Sequence, residues 1–383
     1  MTRLSWAACL AVACLLLPAR AGATEADMEL YKKAMAFLIA QQHEGGGWGP
    51  EAPGELGITS LVIKGIADAP AEIRAEYLPK AEAAMAWVLK SQGEDGSITV
   101  DRTGLTTYRT AIAIMAMKSL DAERYAEPIK KAAQWLIGDQ FTQEDGVAPD
   151  DPHYGGYGYG HDGEKPDADL SNTHIAMAAL HDAGIAPDDP VFQRAMEFIT
   201  RCQNSSETNP GVGKLRPLDD GGFIYDPGLS RNKSSAVEHE DGTTSFVSYA
   251  SMTYAGLMAM IYSDLQPDDP RMQAALGWIA NNYTLEENKG LGVRAEDPNA
   301  AQQGLYYYYH TFAKALAQRG EPTLETSEGT RHWARDLFDA LHARVKEGGF
   351  FRNENSRWWE QDPTLVTAYV INAMNYAIPF LPE

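Results

Sequence analysis

Six times along this chain, an apolar helical segment ending near Gln or Asn runs toward a second helical segment. The second one carries small and hydroxyl residues in a fixed register. Aligned on that register, the second segments read Thr59-Ser60, Thr110-Ala111, Thr173-His174, Ala250-Ser251, Tyr309-His310 and Thr367-Ala368. Seven residues after each first position comes Ile66, Met117, Leu180, Leu257, Leu316 or Met374. The first segments carry Phe37-Leu38 before Gln41, Trp87-Val88 before Gln92, Trp135-Leu136 before Gln140, Phe198-Ile199 before Gln203 and Trp278-Ile279 before Asn282. A degenerate sixth copy runs from His332 to Lys346. Glycine turns such as Gly46-Gly47-Trp48, Asp95-Gly96-Ser97, Asp145-Gly146-Val147, Gly221-Gly222-Phe223 and Gly348-Gly349-Phe350 separate the pairs. Self-similarity at roughly 50 to 80 residues means an array of helical hairpins, because one hairpin cannot bury its own apolar face. Six hairpins suffice to close a ring, so an all-α (α/α)6 toroid is expected.

Helical periodicity predicts outer helices over 29–42, 75–91, 124–140, 190–203, 270–283 and 330–346. The inner helices are predicted over 57–68, 106–119, 171–183, 245–263, 305–319 and 364–377. Strand signals are sparse, and the Gly-aromatic stretches 155–160 and 221–226 read as ordered loops. The long connections lead from outer to inner helices, and long loops usually serve function. The functional mouth is therefore expected where the inner helices begin and their N-terminal dipoles converge.

Residues 1–23 stand outside that pattern. Arg3 supplies a positive start, Leu4 to Leu17 an apolar stretch and Ala21-Gly22-Ala23 a small-residue cleavage site. They read as a secretory signal cut after Ala23, with an uncleaved N-terminal anchor as the alternative. The expectation is an exported protein, periplasmic or secreted, with residues 24–383 as one toroid domain. Cleavage removes Cys9 and Cys14 and leaves Cys202, which has no partner for an internal disulfide. It also removes Arg3 and Arg20, taking the net charge from −21 to −23. So acidic a surface repels nucleic acid and anionic lipid headgroups. No later stretch is apolar enough over 18 residues to span a membrane.

The repeat, Gln followed by a Gly-Gly-Trp-like turn and a hydroxyl-bearing helix, resembles the terpenoid cyclase and protein prenyltransferase superfamily. Squalene–hopene-cyclase-like repeat proteins give the nearest likeness, over residues 29 to 378. The resemblance implies an α/α toroid with a central cavity for an isoprenoid or other apolar ligand. Two of its motifs can be followed residue by residue. Class II cyclases protonate their substrate with the third residue of an Asp-x-Asp-Asp-Thr-Ala segment. Here the gapless match is Asp169-Leu170-Ser171-Asn172-Thr173-His174, with Ser171 at the proton donor's place. Prenyltransferase β subunits hold zinc through Asp, Cys and His. Tyr309-His310-Thr311 matches the His segment, but Thr243 of Asp241-Gly242-Thr243 replaces the thiolate, so no metal is expected. Nor is another cofactor implied.

The candidate catalytic residues are Asp169, His174 and His310, and the candidate ligand-binding residues are Tyr157, Tyr249, Tyr309, Trp359 and Asp362. Tyr157 belongs to the Gly-Tyr loop that runs from Tyr154 to His161, where glycines allow close backbone approach and tyrosines offer stacking faces. Each candidate has a plainer reading. The aromatics pack against neighbouring helices, the histidines satisfy core hydrogen bonds, and Asp169 and Asp362 cap helices. Loop arginines, including Arg102, Arg109, Arg216, Arg231, Arg294 and Arg357, are expected to neutralise nearby carboxylates. Three functions stay open: a terpenoid-cyclase-like isomerase, lyase or transferase; a toroid binding an apolar ligand or a partner protein without catalysis; and a glycan-active (α/α)6 enzyme.

Overall fold

A computed structural model describes residues 22–52, 54–100, 104–159, 167–227, 235–293 and 297–383. Arg3, Arg20, Cys9, Cys14, Arg102, His161, Arg231 and Arg294 lie outside the described residues. Among those described, twelve α-helices alternate between an outer and an inner layer. The outer helices are α1 (Glu25–Ala40), α3 (Ala71–Val88), α5 (Ala126–Gly138), α7 (Pro190–Cys202), α9 (Pro270–Asn282) and α11 (Trp333–Arg344). The inner helices are α2 (Leu56–Ala67), α4 (Thr106–Asp121), α6 (Leu170–Asp182), α8 (Ala250–Tyr262), α10 (Leu305–Arg319) and α12 (Pro363–Ala377). Each inner helix packs on the next, and α12 packs back on α2, closing the ring. The fold is an (α/α)6 toroid.

The inner helices are buried almost throughout, which explains their uniform small and apolar composition. Helix starts follow local chemistry. Thr24 and Asp27 form a reciprocal capping box, while Asp189, Asp269 and Asp362 each cap a helix whose first residue is proline. Asp27 does more than cap. Its buried carboxylate accepts from Arg335 at 2.7 and 2.9 Å and from His342 at 2.8 Å, tying α1 to α11 where first and last hairpins meet. Burial works against its charge, but Arg335 and His342 outweigh it and hold the carboxyl well below its usual range.

The repeat signature has a hydrogen-bonding basis. The side chains of Gln92, Gln140 and Gln203 donate to the glycine turn of their own repeat and to the first turn of the next outer helix. In the third repeat that turn is Gly155-Gly156-Tyr157, not the Asp145-Gly146-Val147 expected from the sequence. In the first repeat Gln42, not Gln41, reaches the turn. The inner-helix threonine then receives the backbone N–H of the residue after the turn. Thr59 bonds Trp48, Thr110 bonds Ile98, Thr173 bonds Tyr157 and Thr367 bonds Phe351, all at 2.8–3.0 Å. In the fourth repeat that role falls to Thr253, which bonds Phe223 at 3.1 Å, so the Ala250 alignment is three residues early. In the fifth repeat Tyr308 and Tyr309 tie the loop instead, their hydroxyls donating to the carbonyls of Thr284 and Leu285.

The predicted inner helix 245–263 begins at Ala250. Residues 244–246 form β2 (Thr244–Phe246), antiparallel to β1 (Ala236–Glu238). A second hairpin, β3 (Leu324–Thr326) with β4 (Gly329–Arg331), lies between α10 and α11, so one longer connection occupies the end opposite the other long loops. No helix among the described residues is long and apolar enough to cross a membrane.

Candidate functional site

A cavity of about 660 Å³ opens among the N-terminal turns of all six inner helices. Ile58 and Leu61 of α2, Tyr108 and Ile112 of α4, Met252 of α8 and Leu365 of α12 give it apolar walls. Tyr159, Tyr225, Tyr249 and Tyr369 add ring faces, and Trp358 and Trp359 from the last loop form a lip, each about half exposed. Three of the five non-glycine residues with positive φ among those described, Leu105, Trp358 and Trp359, line this cavity. Such conformations cost roughly 1–3 kcal/mol each and gather at binding sites.

Ser171 sits in the first turn of α6 with its hydroxyl between two phenols. Its Oγ is hydrogen-bonded to Tyr108 Oη and, at 2.7 Å, to Tyr307 Oη. Burial raises both phenols well above the usual tyrosine range, so all three groups stay neutral. Tyr307 and Tyr108 also hydrogen-bond each other, so the three hydroxyls form one neutral polar cluster on the cavity wall. On a neighbouring wall Tyr159 and Tyr225 share a hydroxyl bond of 2.9 Å. Charge on the lining is compensated: Arg109 Nε meets Glu55 Oε1 at 2.7 Å.

Glu360 is the unusual wall residue. One carboxylate oxygen accepts the backbone N–H groups of Tyr306 at 3.0 Å and Tyr307 at 2.7 Å, and the other accepts Asn353 Nδ2 at 2.6 Å. It thus caps α10 from the last loop. Complete burial pushes its pKa up to about 7, despite the opposing hydrogen bonds from Asn353 and the α10 amides.

Of the residues singled out in sequence, Tyr249 and Trp359 line the cavity. Asp169 caps α6, accepting Asn172 N and Nδ2 at 2.8 Å each, and Asp362 caps α12 through Thr364 N and Leu365 N. Tyr157 is buried on the outer side of the Thr173 tie, and Tyr309 is spent on the Leu285 carbonyl. His174 lies one turn below Ser171, its Nδ1 on the Leu170 carbonyl at 3.1 Å, and burial pushes its pKa down to about 3. His310 lies between the tilted rings of Tyr369 and Tyr376, with ring centroids 5.5 and 5.9 Å away. Thr243 bonds Asp241 in an exposed turn, whereas His310 belongs to the axial core. Among the described residues no three His, Cys, Asp or Glu side chains converge as a metal cluster. Cys202 is buried, and burial raises its thiol pKa.

Sequence reasoning missed Tyr108, Ser171 as a binder, Tyr225, Tyr369 and Glu360. The available signal was positional: Tyr108 and Tyr369 flank the register threonines Thr110 and Thr367 by two residues.

No protein-family model and no curated protein matches the sequence. Solved structures match over nearly the whole length. The chain is similar to the type II terpene cyclase MstE from Scytonema, at 14% identity and TM-score 0.54, covering 93% of this chain and 99% of that one. An MstE variant in complex with geranylgeranyl dihydroxybenzoate aligns with TM-score 0.56 at 13% identity, over 93% and 98% of the two chains. A possible GH105 family member from Salmonella enterica serovar Paratyphi A aligns at 11% identity with TM-score 0.51, over 95% and 96%. These likenesses establish the shared (α/α)6 toroid, a fold common to a terpene cyclase and a possible GH105 family member.

Proposed function

We propose that this chain is an exported toroid that binds a neutral, oxygen-bearing apolar ligand of isoprenoid type in the cavity at its inner-helix N-termini. The carrying observation is the Tyr108–Ser171–Tyr307 hydroxyl chain set within aromatic and aliphatic walls. Such a lining stabilises a long apolar body by roughly 25 cal/mol per Å² buried and anchors one alcohol, ether or carbonyl oxygen by a hydrogen bond. The MstE complex with an isoprenoid-bearing substrate lends support by analogy of fold. Alkene protonation is not part of the proposal, because a serine hydroxyl held by two neutral phenols is too weak an acid for it.

The test is tryptophan-fluorescence titration with geranylgeraniol, paired with product analysis after incubation with squalene in detergent. Saturable binding without cyclic product is the expected result. A cyclised product would overturn the non-cyclase reading, and absence of any binding would overturn the isoprenoid one.

One observation favours a second reading, a glycan-active enzyme. Glu360 stands on the cavity wall with a carboxyl poised near neutrality, the property of a general acid. Release of reducing sugar from an oligosaccharide panel, lost in Glu360→Gln, would favour it over the first.

A further inference from the structure

Below the aromatic cavity, toward the C-terminal ends of the inner helices, two lysines are buried in the axial core: Lys64 of α2 and Lys314 of α10. Their surroundings differ. Lys64 Nζ is paired with Asp68 and lies 5.0 Å from the centre of the Tyr376 ring. Burial works against its charge, but Asp68 outweighs it and holds Lys64 firmly protonated. Lys314 Nζ instead donates to the thioether sulfur of Met115 at 3.2 Å and lies 5.9 Å from the centre of the Tyr262 ring. Among the described residues it forms no carboxylate ion pair. A thioether is a weak acceptor, so an ammonium here leaves donors unsatisfied in a desolvated place.

The groups facing this amine come from every side. α2 and its C-cap contribute Lys64 and Asp68, α4 contributes Met115, α6 contributes Asp182 beside His181, α8 contributes Tyr262, and Tyr376 of α12 lies against Lys64. Burial lowers the Lys314 pKa to about 8, with Lys64 adding to the effect and Asp182 and Asp68 opposing it. A desolvated lysine beside a second cation is an established way to obtain a nucleophilic amine. His310 precedes Lys314 by one turn on the same helix face, and burial, with Lys314 and Lys64 beside it, keeps its ring neutral. Asp68, His181 and Asp182 are partly exposed, so solvent reaches this end of the toroid.

We propose that Lys314 is a nucleophilic amine that condenses with the carbonyl carbon of a small aldehyde or ketone entering from the C-terminal end of the inner helices. The neutral Nζ lone pair forms the C–N bond while the carbonyl π pair moves to oxygen, which takes up a proton. Water at this end of the toroid carries both protons that nitrogen releases to that oxygen, one as the carbinolamine forms and one as it breaks down. The carbinolamine oxygen then leaves as water, so amine plus carbonyl gives imine plus water. This centre does not depend on what occupies the aromatic cavity.

Reductive trapping tests it. The full chain is incubated with propanal and cyanoborohydride at pH 7, and N-propyl adducts are mapped by peptide mass spectrometry. Lys314 is expected to react about tenfold or more faster than Lys33, whose side chain is 60% exposed. Its rate should level off near pH 8. Lys314→Met should lose the fast adduct, and Asp182→Asn, which removes a carboxylate favouring the ammonium, should speed labelling at pH 7. A Lys314 that reacts no faster than Lys33 in protein with intact circular dichroism overturns the proposal. So does an unchanged labelling rate in folded Asp182→Asn.

Discussion

Thr173 Oγ1 accepts the backbone N–H of Tyr157 at 3.0 Å while donating its own proton to the Asp169 carbonyl at 2.7 Å. One side chain thus fixes both the long loop and the start of the helix that carries Ser171. Thr173→Val keeps the volume but strands a buried N–H, and should lower unfolding free energy by about 1–3 kcal/mol in urea titration. Thr173→Ser should retain most of that stability. A loss in Thr173→Ser with none in Thr173→Val would show that the methyl group, not the hydroxyl, carries the effect.

Gly155 has φ +81°, and a Cβ there would collide with the Arg194 carbonyl oxygen of the next outer helix. Gly146 has nearly the same φ, +79°, with open space around it. Gly146→Ala should therefore cost about 1 kcal/mol from backbone conformation alone, and Gly155→Ala at least about 2 kcal/mol more. Thermal unfolding of the pair separates conformational strain from interlayer contact. Matching melting temperatures would refute the contact.

Two carboxyls set opposite pH trends. Asp27 is depressed in the folded chain, so its contribution is present above the unfolded aspartate pKa of about 4 and is lost as pH falls below it. Asp27→Asn should be less stable at neutral pH and show a flatter acid limb. Glu360 is raised from 4.5 to about 7, so the folded state holds its proton longer than the unfolded one. Its term therefore weakens stability as pH rises from about 4.5 to about 7, and Glu360→Gln should remove that decline. Urea midpoints from pH 3 to 8 for the parent and both variants give the two slopes separately.

Binding should follow the cavity lining. Tyr249→Ala and Trp359→Ala should each weaken binding of an isoprenoid alcohol by roughly 1–3 kcal/mol, the usual worth of a large buried apolar side chain. Tyr108→Phe should weaken it less, by about 1 kcal/mol, through loss of one hydroxyl. Tyr77→Ala, within α3, and Tyr125→Ala, which precedes α5, alter positions away from the lining and should change stability only. Calorimetric titration in which the second pair alone loses affinity would relocate the site.

The architecture was readable because its determinants repeat. Thr59, Thr110, Thr173 and Thr367 recur since each performs the same bond, and the glutamines recur for the same reason. Reading failed where a repeat solved the problem differently: Thr253 took over from the Ala250 position, and paired tyrosines replaced threonine in the fifth hairpin. The site was less legible. Tyr157 and Tyr249 look alike in sequence, but one points into the layer between helices and the other toward the axis. Glu360 acquires its raised pKa from burial against the start of α10, a segment 54 residues away that only the packing of adjacent hairpins brings to it.

Closure itself has a further consequence. An open solenoid has two terminal repeats that fray, each held by one neighbour. Here α1 packs on α12, α12 packs on α2, and Asp27 is clamped by Arg335 and His342, so every hairpin has a neighbour on both sides. No hairpin can peel away without breaking two interfaces and opening the axial core to water. Cutting the backbone in the short turn after Ala67 and joining the present ends would keep all six neighbour contacts. The order in which the hairpins are threaded is thus separable from the ring they build.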